Sequence, residues 1–406
     1  MKKKIIISGA SGFIGKQLVP LLSSNFDIIL IGRSKAKLSS IFPNTRNMTY
    51  EEYFRSQPDH NVFINLAVVN SDSSASSEEY LAVNRDLCLK LASISSFKNG
   101  SIFINFTSTK ILEENLSKNK SNYAFSKIQA AKELNRMKHK NMISLYLPFV
   151  YGNTFSNKLK ILNNIPSYLS NKIFNFLSAF KATVHINKIY EFILEINEQT
   201  LETNNFIITD LKTENPVFML FKRIIDLSFS IILIIFALVP AFFIAFFIKI
   251  TSNGPILFKQ DRVGLNEKTF KCYKFRTMKN NTPNLGSHEL DDTVVTYIGK
   301  FLRKTKLDEI PQVINILKNE MSLVGPRPGL INQKSLLLSR KKQNIFSIKP
   351  GITGYSQIRK IDMQNPNLLA ESDKEYLKIL CITIDLKIII LTFLGFGFGD
   401  RLKRNF

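Results

Sequence analysis

The feature that most restricts the fold of this chain is a run of 22 residues, 227–248, without a charged side chain. As a helix the run would be about 33 Å long at ~1.5 Å per residue, which is enough to cross a hydrocarbon core of ~30 Å. The alternative, a buried helix of a soluble protein, fits less well because the run is apolar on every face. The sequence therefore predicts a membrane segment, which we place at residues 224–250.

The residues around this segment indicate how it enters the membrane. Both flanks carry positive side chains, which favour the cytoplasmic side: Lys222, Arg223, Lys249, Lys259 and Arg262. Pro240 lies inside the segment, where it removes a backbone hydrogen bond and bends a helix. We therefore expect a re-entrant helix that enters and leaves on one face, with both halves of the chain on the cytoplasmic side.

Composition and charge exclude several classes of protein. The 406 residues correspond to two or three domains of about 100–200 residues each. The net charge of +23 suits anionic lipids, phosphorylated ligands or nucleic acid. Because no zinc-finger, basic-zipper or RNA-binding signature occurs, we expect no nucleic-acid partner. The three cysteines stand far apart, which argues against disulfides and fits a reducing cytoplasm. The apolar run near the N-terminus is too short for a signal peptide, so we expect no export.

The first half of the chain alternates β-like runs with helical stretches. The β-like runs are residues 4–8, 26–31, 62–66, 101–106 and 142–147. Such alternation predicts an α/β fold with a parallel sheet and crossover helices. Three glycines, each three positions after the last, follow the first run and allow a backbone turn to approach a pyrophosphate: Gly9, Gly12 and Gly15. This pattern predicts a Rossmann-like, doubly wound parallel sheet that binds a dinucleotide.

Further residues refine the dinucleotide site. Arg33 follows the second β-like run, where NAD-binding proteins usually carry an acidic residue. A cation there suits the 2′-phosphate of NADP, so we expect NADP(H) rather than NAD, with a solvated loop arginine as the alternative. Lys127 follows Tyr123 by one helical turn, and its ammonium would lower the pKa of the phenol for acid–base chemistry. Thr109, with Ser108 beside it, follows another β-like run and would orient a substrate.

These residues together resemble the extended short-chain dehydrogenase/reductase family, the NAD-dependent epimerase/dehydratase group, over about residues 3–210. The resemblance implies four catalytic residues: Ser108, Thr109, Tyr123 and Lys127. It also implies a cofactor site composed of Gly9, Ser11, Gly12, Phe13, Ile14, Gly15, Arg33, Leu66, Ala67, Tyr123 and Lys127. Lys110 and Ile111 stand where the family's dehydratases carry Asp-Glu, which speaks against dehydration. We expect a UDP-4-ketosugar reductase, with a 4-epimerase or a non-catalytic nucleotide-binding domain as alternatives.

A second group of chemically suited residues follows the apolar segment. Asp308 and Glu309 are adjacent carboxylates, which repel each other and suit a hard cation such as Mg²⁺. A carboxylate can also attack phosphorus and form an acyl-phosphate. Arg276, Arg303 and Arg327 carry guanidinium groups of the kind that pair with a diphosphate. For the Asp-Glu pair alone, a solvated helix start is the alternative interpretation.

Several motifs in order resemble the bacterial sugar transferase family, the monotopic small phosphoglycosyl transferases, over about residues 221–394. The motifs are Asp261-Arg262-Val263-Gly264, Leu307-Asp308-Glu309, Pro326-Arg327-Pro328 and Lys349-Pro350-Gly351. The resemblance implies that Asp308 is a nucleophile that forms a covalent phosphosugar intermediate, and that Asp308 and Glu309 hold Mg²⁺. It implies that Lys274, Arg303 and Arg327 line the phosphate and nucleotide site. Residues 379–394 read as a helix in the membrane interface or, equally, as a core helix.

The two resemblances predict a bifunctional enzyme of surface-glycan assembly. Residues 1–212 would form the dinucleotide-binding domain, and residues 217–406 a monotopic, membrane-embedded, mainly α-helical transferase domain. The expected partners are a UDP-sugar and polyprenyl (undecaprenyl) phosphate at the cytoplasmic face of a bacterial inner membrane, in the assembly of O-antigen, capsule or a related glycan. A membrane anchor without transferase activity is the rival interpretation. The sequence leaves the sugar and the oligomeric state open, with a homo-oligomer as one alternative.

Overall fold

A computed structural model of the chain describes residues 2–70, 73–96, 100–114, 121–137, 141–196, 204–280, 282 and 292–395. The chain divides into two units. The first comprises Met1–Phe174 and Ala182–Asp210, and the second comprises Asn175–Lys181 and Leu211–Phe406. The segment Asn175–Lys181 is thus separated from its sequence neighbours and grouped with the carboxy-terminal half.

The first unit is built on a parallel sheet of seven strands. The strands of this sheet are β1 (Lys3–Ser8), β2 (Phe26–Gly32), β3 (Arg46–Thr49), β4 (Val62–Asn65), β5 (Ile102–Ser108), β6 (Met142–Leu147) and β9 (Asn205–Ile207). Two further strands, β7 (Phe149–Tyr151) and β8 (Thr183–His185), form a separate parallel pair. The order across the sheet is β3-β2-β1-β4-β5-β6-β9, and every pair in it is parallel. The order reverses between β1 and β4, which makes this the switch point where such sheets bind ligands.

Helices cover both faces of this sheet. Those in its core clusters are α1 (Phe13–Leu22), α2 (Lys35–Ile41), α3 (Tyr50–Ser56), α5 (Cys88–Ser96), α7 (Asn122–Arg136) and α9 (Ile186–Ile196). The remaining helices are α4 (Ser77–Leu81), α6 (Lys110–Glu114) and α8 (Ser167–Ser178), and Phe174 of α8 packs in a separate cluster with Phe155 and Leu162. Ile5 and Ile7 pack in one core cluster with α1, whereas Ile6 packs in another with Phe63 and Phe103. Because both faces are buried, the strands carry continuous apolar runs instead of alternating ones.

The second unit combines helices with small sheets. Its elements are α10 (Pro216–Thr251), β10 (Leu257–Val263), β11 (Thr269–Phe275), α11 (Tyr297–Thr305), α12 (Val313–Leu317), β12 (Ser322–Val324), β13 (Gly329–Leu330), α13 (Lys334–Lys342), β14 (Gly351–Thr353), α14 (Tyr355–Ile358), α15 (Pro366–Ile379) and α16 (Ile382–Phe393). Strands β10 and β11 form an antiparallel hairpin to which β13 adds, and β12 pairs with β14 in parallel. The predicted fold class, a Rossmann-like α/β sheet followed by a helix-rich unit with one long apolar helix, is confirmed.

Helix α10 carries the apolar segment. The Asn215 side chain accepts from the backbone N–H groups of Val217 and Phe218, and Pro216 occupies the first turn, so the start of the helix is well capped. With 36 residues it is about 54 Å long at ~1.5 Å per residue. Among the described residues it is the one helix long and apolar enough to cross a membrane. It continues through Pro240, and the bend and re-entry expected there stay predictions.

Much of the apolar surface of α10 is exposed within its own unit. Phe236, for example, is 76% exposed and Phe242 is 69% exposed. Helix α16 has a similar character, because Ile384 and Ile388 are buried while Phe393 is 73% exposed. Large exposed apolar surfaces of this kind mark contact with a membrane or a partner.

Candidate functional sites

The switch point of the first unit is formed by the glycine turn after β1 and the end of β4. Gly9 has a φ of +72°, and a Cβ atom there would lie 2.5 Å from the Ala67 nitrogen. A Cβ atom on Gly15 would lie 2.2 Å from the Ala10 carbonyl oxygen. These two glycines are therefore needed for the turn to pack against β4 and for α1 to pack against the turn.

Gly12 differs from the other two glycines of the turn. A Cβ atom there would meet only the Gly9 carbonyl oxygen, at 3.3 Å, which is a tight contact but not the overlap found at Gly9 and Gly15. Gly12 is also the N-cap of α1 and offers no side chain to the N–H groups of the first helical turn, where Phe13 and Ile14 lie half-buried. Backbone donors at an uncapped helix start fit the pyrophosphate of a dinucleotide.

Tyr123 and Ser108 come together near the carboxyl end of β5. A hydrogen bond from Ser108 lowers the pKa of Tyr123, but burial raises it more, so the pKa lies above 10.0. Thr109, the expected partner, is 1% exposed, and its backbone N–H bonds to Leu147. In this structure the hydroxyl that bonds to the Tyr123 phenol is therefore that of Ser108 and not that of Thr109.

The expected effect of Lys127 on Tyr123 is not seen. The Lys127 Nζ donates to the Phe106 carbonyl oxygen at 3.0 Å, and burial lowers the pKa of Lys127 from 10.5 to about 8. The ammonium is thus bound to a carbonyl of strand β5, and its expected effect on the pKa of the phenol stays a prediction. Arg33 is exposed beyond β2, where a solvated loop and a 2′-phosphate contact are both compatible with its position.

Buried amides connect the strands at this edge. Asn65 Oδ1 accepts from Ser8 at 2.6 Å, and Asn65 Nδ2 donates to Asn105 Oδ1 at 3.0 Å. Asn84 lies in a π-helical turn, Ala82–Leu87, and its Nδ2 donates to Ser126 at 3.0 Å. Asn105 was not predicted from the sequence, and the signal that could have found it is its position next to the end of a buried β-like run.

The candidate site of the second unit surrounds Asp308 and Glu309. Helix α11 ends at Thr305, its C-cap Lys306 has a φ of +62°, and a short 3-10 helix, Leu307–Gln312, then carries both carboxylates. Asp308 is 6% exposed and Glu309 is 7% exposed. The pair is thus buried, and the alternative of a solvated helix start is wrong.

Two cations neutralise Glu309. Lys274 Nζ, on β11, lies 2.7 Å from Glu309 Oε1, and Arg327 Nη2 lies 3.3 Å from the same oxygen. Buried carboxylates need such partners, because the charge would otherwise be uncompensated. Two of the cations that were expected to bind a diphosphate, Lys274 and Arg327, therefore meet at the carboxylate pair.

The other two expected arginines, Arg276 and Arg303, also bond to groups outside the carboxylate pair. Arg276 is 6% exposed, and it donates to the backbone carbonyls of Ser252 and Asn253 at 2.7 and 2.9 Å, so it ties the end of α10 to β11. Arg303 Nε donates to Thr277 Oγ1 at 3.0 Å. Lys274 and Arg327, two of the four cations predicted to bind phosphate, contact Glu309.

The number of carboxylates in the pair suits a magnesium ion. Among the described residues no group of three or more His, Cys, Asp or Glu side chains is placed to hold a metal. Mg²⁺ nevertheless takes one or two protein carboxylates and completes its octahedron with water and substrate phosphates. Asp308 and Glu309 would therefore bind it together with a phosphorylated substrate.

Comparisons with known proteins divide the chain in the same way. Residues 217–398 match the family described as Bacterial sugar transferase, and residues 5–185 match the NAD dependent epimerase/dehydratase family. The chain is 37% identical over 174 residues to the uncharacterized sugar transferase EpsL of Bacillus subtilis (strain 168), which is 43% of this chain and 86% of that protein.

Two longer relatives are matched over a smaller share of their own length. A UDP-glucose:undecaprenyl-phosphate glucose-1-phosphate transferase of Klebsiella pneumoniae is 38% identical over 192 residues, 45% of this chain and 41% of that protein. The galactosyl transferase CpsE of Streptococcus agalactiae serotype III (strain NEM316) is 34% identical over 251 residues, 56% of each. The chain thus spans about half the length of these two relatives. Solved structures match about half of the chain with TM-scores of 0.37 to 0.41, a likeness too weak to support a functional inference.

Proposed function

We propose that the chain is bifunctional. It belongs to the bacterial sugar transferase family through residues 217–398, and its residues 5–185 match the NAD dependent epimerase/dehydratase family. Its domain 217–406 transfers a sugar-1-phosphate from a UDP-sugar to polyprenyl phosphate, and its domain 1–212 acts on the UDP-sugar. The observation that carries the transferase proposal is the buried Asp308–Glu309 pair, with Lys274 and Arg327 at Glu309. The product would begin a repeat unit of a surface glycan such as O-antigen or capsule.

The chemistry proceeds in two displacements at phosphorus. A carboxylate oxygen of Asp308 attacks the β-phosphorus of the UDP-sugar, and the bond from that phosphorus to the bridging oxygen breaks, so UMP leaves with the bridging oxygen. A phosphate oxygen of polyprenyl phosphate then attacks the same phosphorus and releases Asp308 as a carboxylate. Lys274, Arg303 and Arg327 offset the negative charge of the diphosphate. Mg²⁺ bound by Asp308 and Glu309 would supply further charge neutralisation.

The test is the intact mass of the purified protein with Mg²⁺ and a panel of UDP-sugars, without lipid acceptor. We expect a mass increase of one sugar phosphate that is absent in Asp308→Asn. UMP release only after polyprenyl phosphate is added, with no adduct, would contradict the covalent role of Asp308. Neither adduct nor UMP with any donor in the panel, in the presence of lipid, would contradict the transferase proposal.

For the first domain the proposed activity is NADPH-dependent reduction of a UDP-4-ketosugar. Tyr123 would give its proton to the keto oxygen as a hydride reaches the carbon, and Ser108 would hold the same oxygen. The uncapped start of α1 at Gly12 supports dinucleotide binding, and the exposed cation Arg33 favours NADP. A 4-epimerase would use the same Tyr123 and Ser108 without net consumption of the cofactor.

NADPH absorbance with a UDP-4-ketosugar separates these activities. A reductase consumes NADPH, and Tyr123→Phe abolishes the consumption. Interconversion of UDP-sugar 4-epimers without loss of NADPH would identify an epimerase. Dinucleotide binding without either reaction would leave a nucleotide-binding domain and refute the proposed reduction.

We place both domains at the cytoplasmic face of the inner membrane, with α10 entering and leaving on that face. The three native cysteines are buried, so introduced cysteines can be labelled cleanly. Lys37→Cys and Lys268→Cys occupy exposed positions before and after α10. We expect a membrane-impermeant maleimide to label both in inside-out vesicles and neither in intact cells. Labelling of Lys268→Cys alone from outside would show that the helix crosses the bilayer.

A further inference from the structure

The turn that presents Arg327 consists of Pro326, Arg327 and Pro328, and lies outside regular helix or strand. Proline has no backbone N–H, so this turn has few donors with which to fix itself. Its three carbonyl oxygens instead accept hydrogen bonds from outside the turn: that of Pro326 from Gly351 N (2.9 Å), that of Arg327 from Arg340 Nη1 (2.8 Å) and that of Pro328 from Arg262 Nη1 (2.8 Å). The position of the turn is therefore set by residues distant from it in sequence.

Arg340 is the most deeply buried of these donors. It is 2% exposed, and its Nε and Nη2 bond to Asp373 Oδ2 at 2.9 and 2.6 Å. Asp373 is also 2% exposed, and its Oδ1 accepts from Ser356 at 2.7 Å. Because a guanidinium group is planar, two bonds to Asp373 fix the direction of the third donor, Nη1, which meets Arg327 O.

The side chain of Arg327 is what this arrangement holds in place. Its Nη2 lies 3.3 Å from Glu309 Oε1, beside Lys274. We propose that the buried pair Arg340–Asp373 positions Arg327 for the phosphate groups of the substrate, and that Arg340 acts on the reaction through the Arg327 backbone without touching substrate. This inference rests on the proposed transferase function, because that function gives Arg327 its phosphate ligand.

The informative variant is Arg340→Lys. A lysine keeps a positive charge for Asp373, but its single ammonium cannot reproduce the planar fork that also reaches Arg327 O. Arg340→Ala would leave Asp373 unpaired inside the protein and would confuse a folding defect with a positioning defect. The matched control is Arg359→Lys, since Arg359 pairs with Glu375 on a neighbouring, partly exposed stretch of the same unit.

The experiment measures kcat and KM for UMP release by the full chain in detergent, with the UDP-sugar donor and polyprenyl phosphate. We expect Arg340→Lys to lower kcat about tenfold and Arg327→Lys about a hundredfold, as removal of a preorganised charge donor does. Arg359→Lys should stay within twofold of the wild-type protein. In the double variant, Arg340→Lys should cause no loss beyond that of Arg327→Lys alone, because Arg340 acts only through Arg327.

Two results would overturn the proposal. One is a wild-type kcat for Arg340→Lys. The other is that Arg340→Lys lowers kcat by the same factor in the wild-type protein and in Arg327→Lys, which would mean that Arg340 acts through general stability and not through Arg327. Failure of the proposed function is recognised separately, because the wild-type protein would then release no UMP. Crystal structures of the wild-type protein and Arg340→Lys decide the inference in that case: loss of the Arg327–Glu309 contact supports it, and an unchanged contact refutes it.

Discussion

Lys127 makes the stability of the first unit depend on pH. The side chain is 3% exposed, and burial lowers its pKa from 10.5 to about 8. In the unfolded chain the side chain returns to water, so between these two pKa values the unfolded state binds more protons than the folded state. The free energy of unfolding therefore rises with pH from about 8 to 10.5.

The magnitude follows from the difference between the two pKa values. Since one pKa unit corresponds to about 1.4 kcal/mol, holding the ammonium inside the fold costs about 3 kcal/mol at pH 7 and about 1 kcal/mol at pH 10. Lys127→Met removes this cost, and it also removes the hydrogen bond to Phe106, worth about 1 kcal/mol. We expect the variant to raise the free energy of unfolding by about 2 kcal/mol at pH 7 and by nearly nothing at pH 10.

The measurement is urea unfolding of the full chain in detergent, followed by circular dichroism because the chain has no tryptophan. Lys132→Met is the matched control, since Lys132 is exposed on the same helix α7. The free energy of unfolding of Lys132→Met should differ little from that of the wild-type protein, and by the same amount at pH 7 and pH 10. A Lys127→Met difference that is also the same at pH 7 and pH 10 would refute the reasoning, because the buried ammonium would then not be the source.

Four further substitutions test other parts of the chain. Gly15→Ala should lower the free energy of unfolding by about 1–3 kcal/mol, because its Cβ would lie 2.2 Å from the Ala10 oxygen. Gly12→Ala should lower it less, because its Cβ would lie 3.3 Å from the Gly9 oxygen, and this variant should bind NADPH more weakly in calorimetric titration. Arg33→Ala should raise the KM for NADPH about tenfold and leave that for NADH unchanged, and an equal change for both would contradict an NADP preference. Lys222→Met leaves Asp385 buried without its cation and should cost about 3–5 kcal/mol in urea unfolding.

The parts of the fold that sequence reasoning identified are those with a strong local pattern. The predicted strand at residues 142–147 coincides with β6, and the run at 62–66 differs from β4 by one residue at its end. Strands buried on both faces are visible as apolar runs bounded by polar residues. Strand β9, Asn205–Ile207, has three residues in an apolar run too short to mark a strand, so it was not predicted.

The parts that were missed depend on contacts between distant residues. Arg340 and Asp373 are 33 positions apart, and nothing in either neighbourhood marks them as a pair. Likewise the sequence shows that Arg276 is basic but not that backbone carbonyls of residues 252 and 253 will bind its guanidinium. Charge type could be read locally, whereas the partner of each charge is decided by tertiary packing.

Helix α10 contacts its own unit near both ends, and these contacts restrict how the helix can insert into a membrane. Near the start, Arg223 Nη1 donates to the Ile316 carbonyl oxygen at 2.7 Å. Near the end, Ile244 and Ile248 pack in one cluster with Leu302. Residues 223 and 248 are 25 positions apart, so a straight helix separates them by about 37 Å, more than a hydrocarbon core of ~30 Å. A helix that crossed the bilayer would carry one of these contacts to the opposite side, away from the rest of the unit. A helix that enters from one face keeps both contacts, which is why we favour re-entry over crossing.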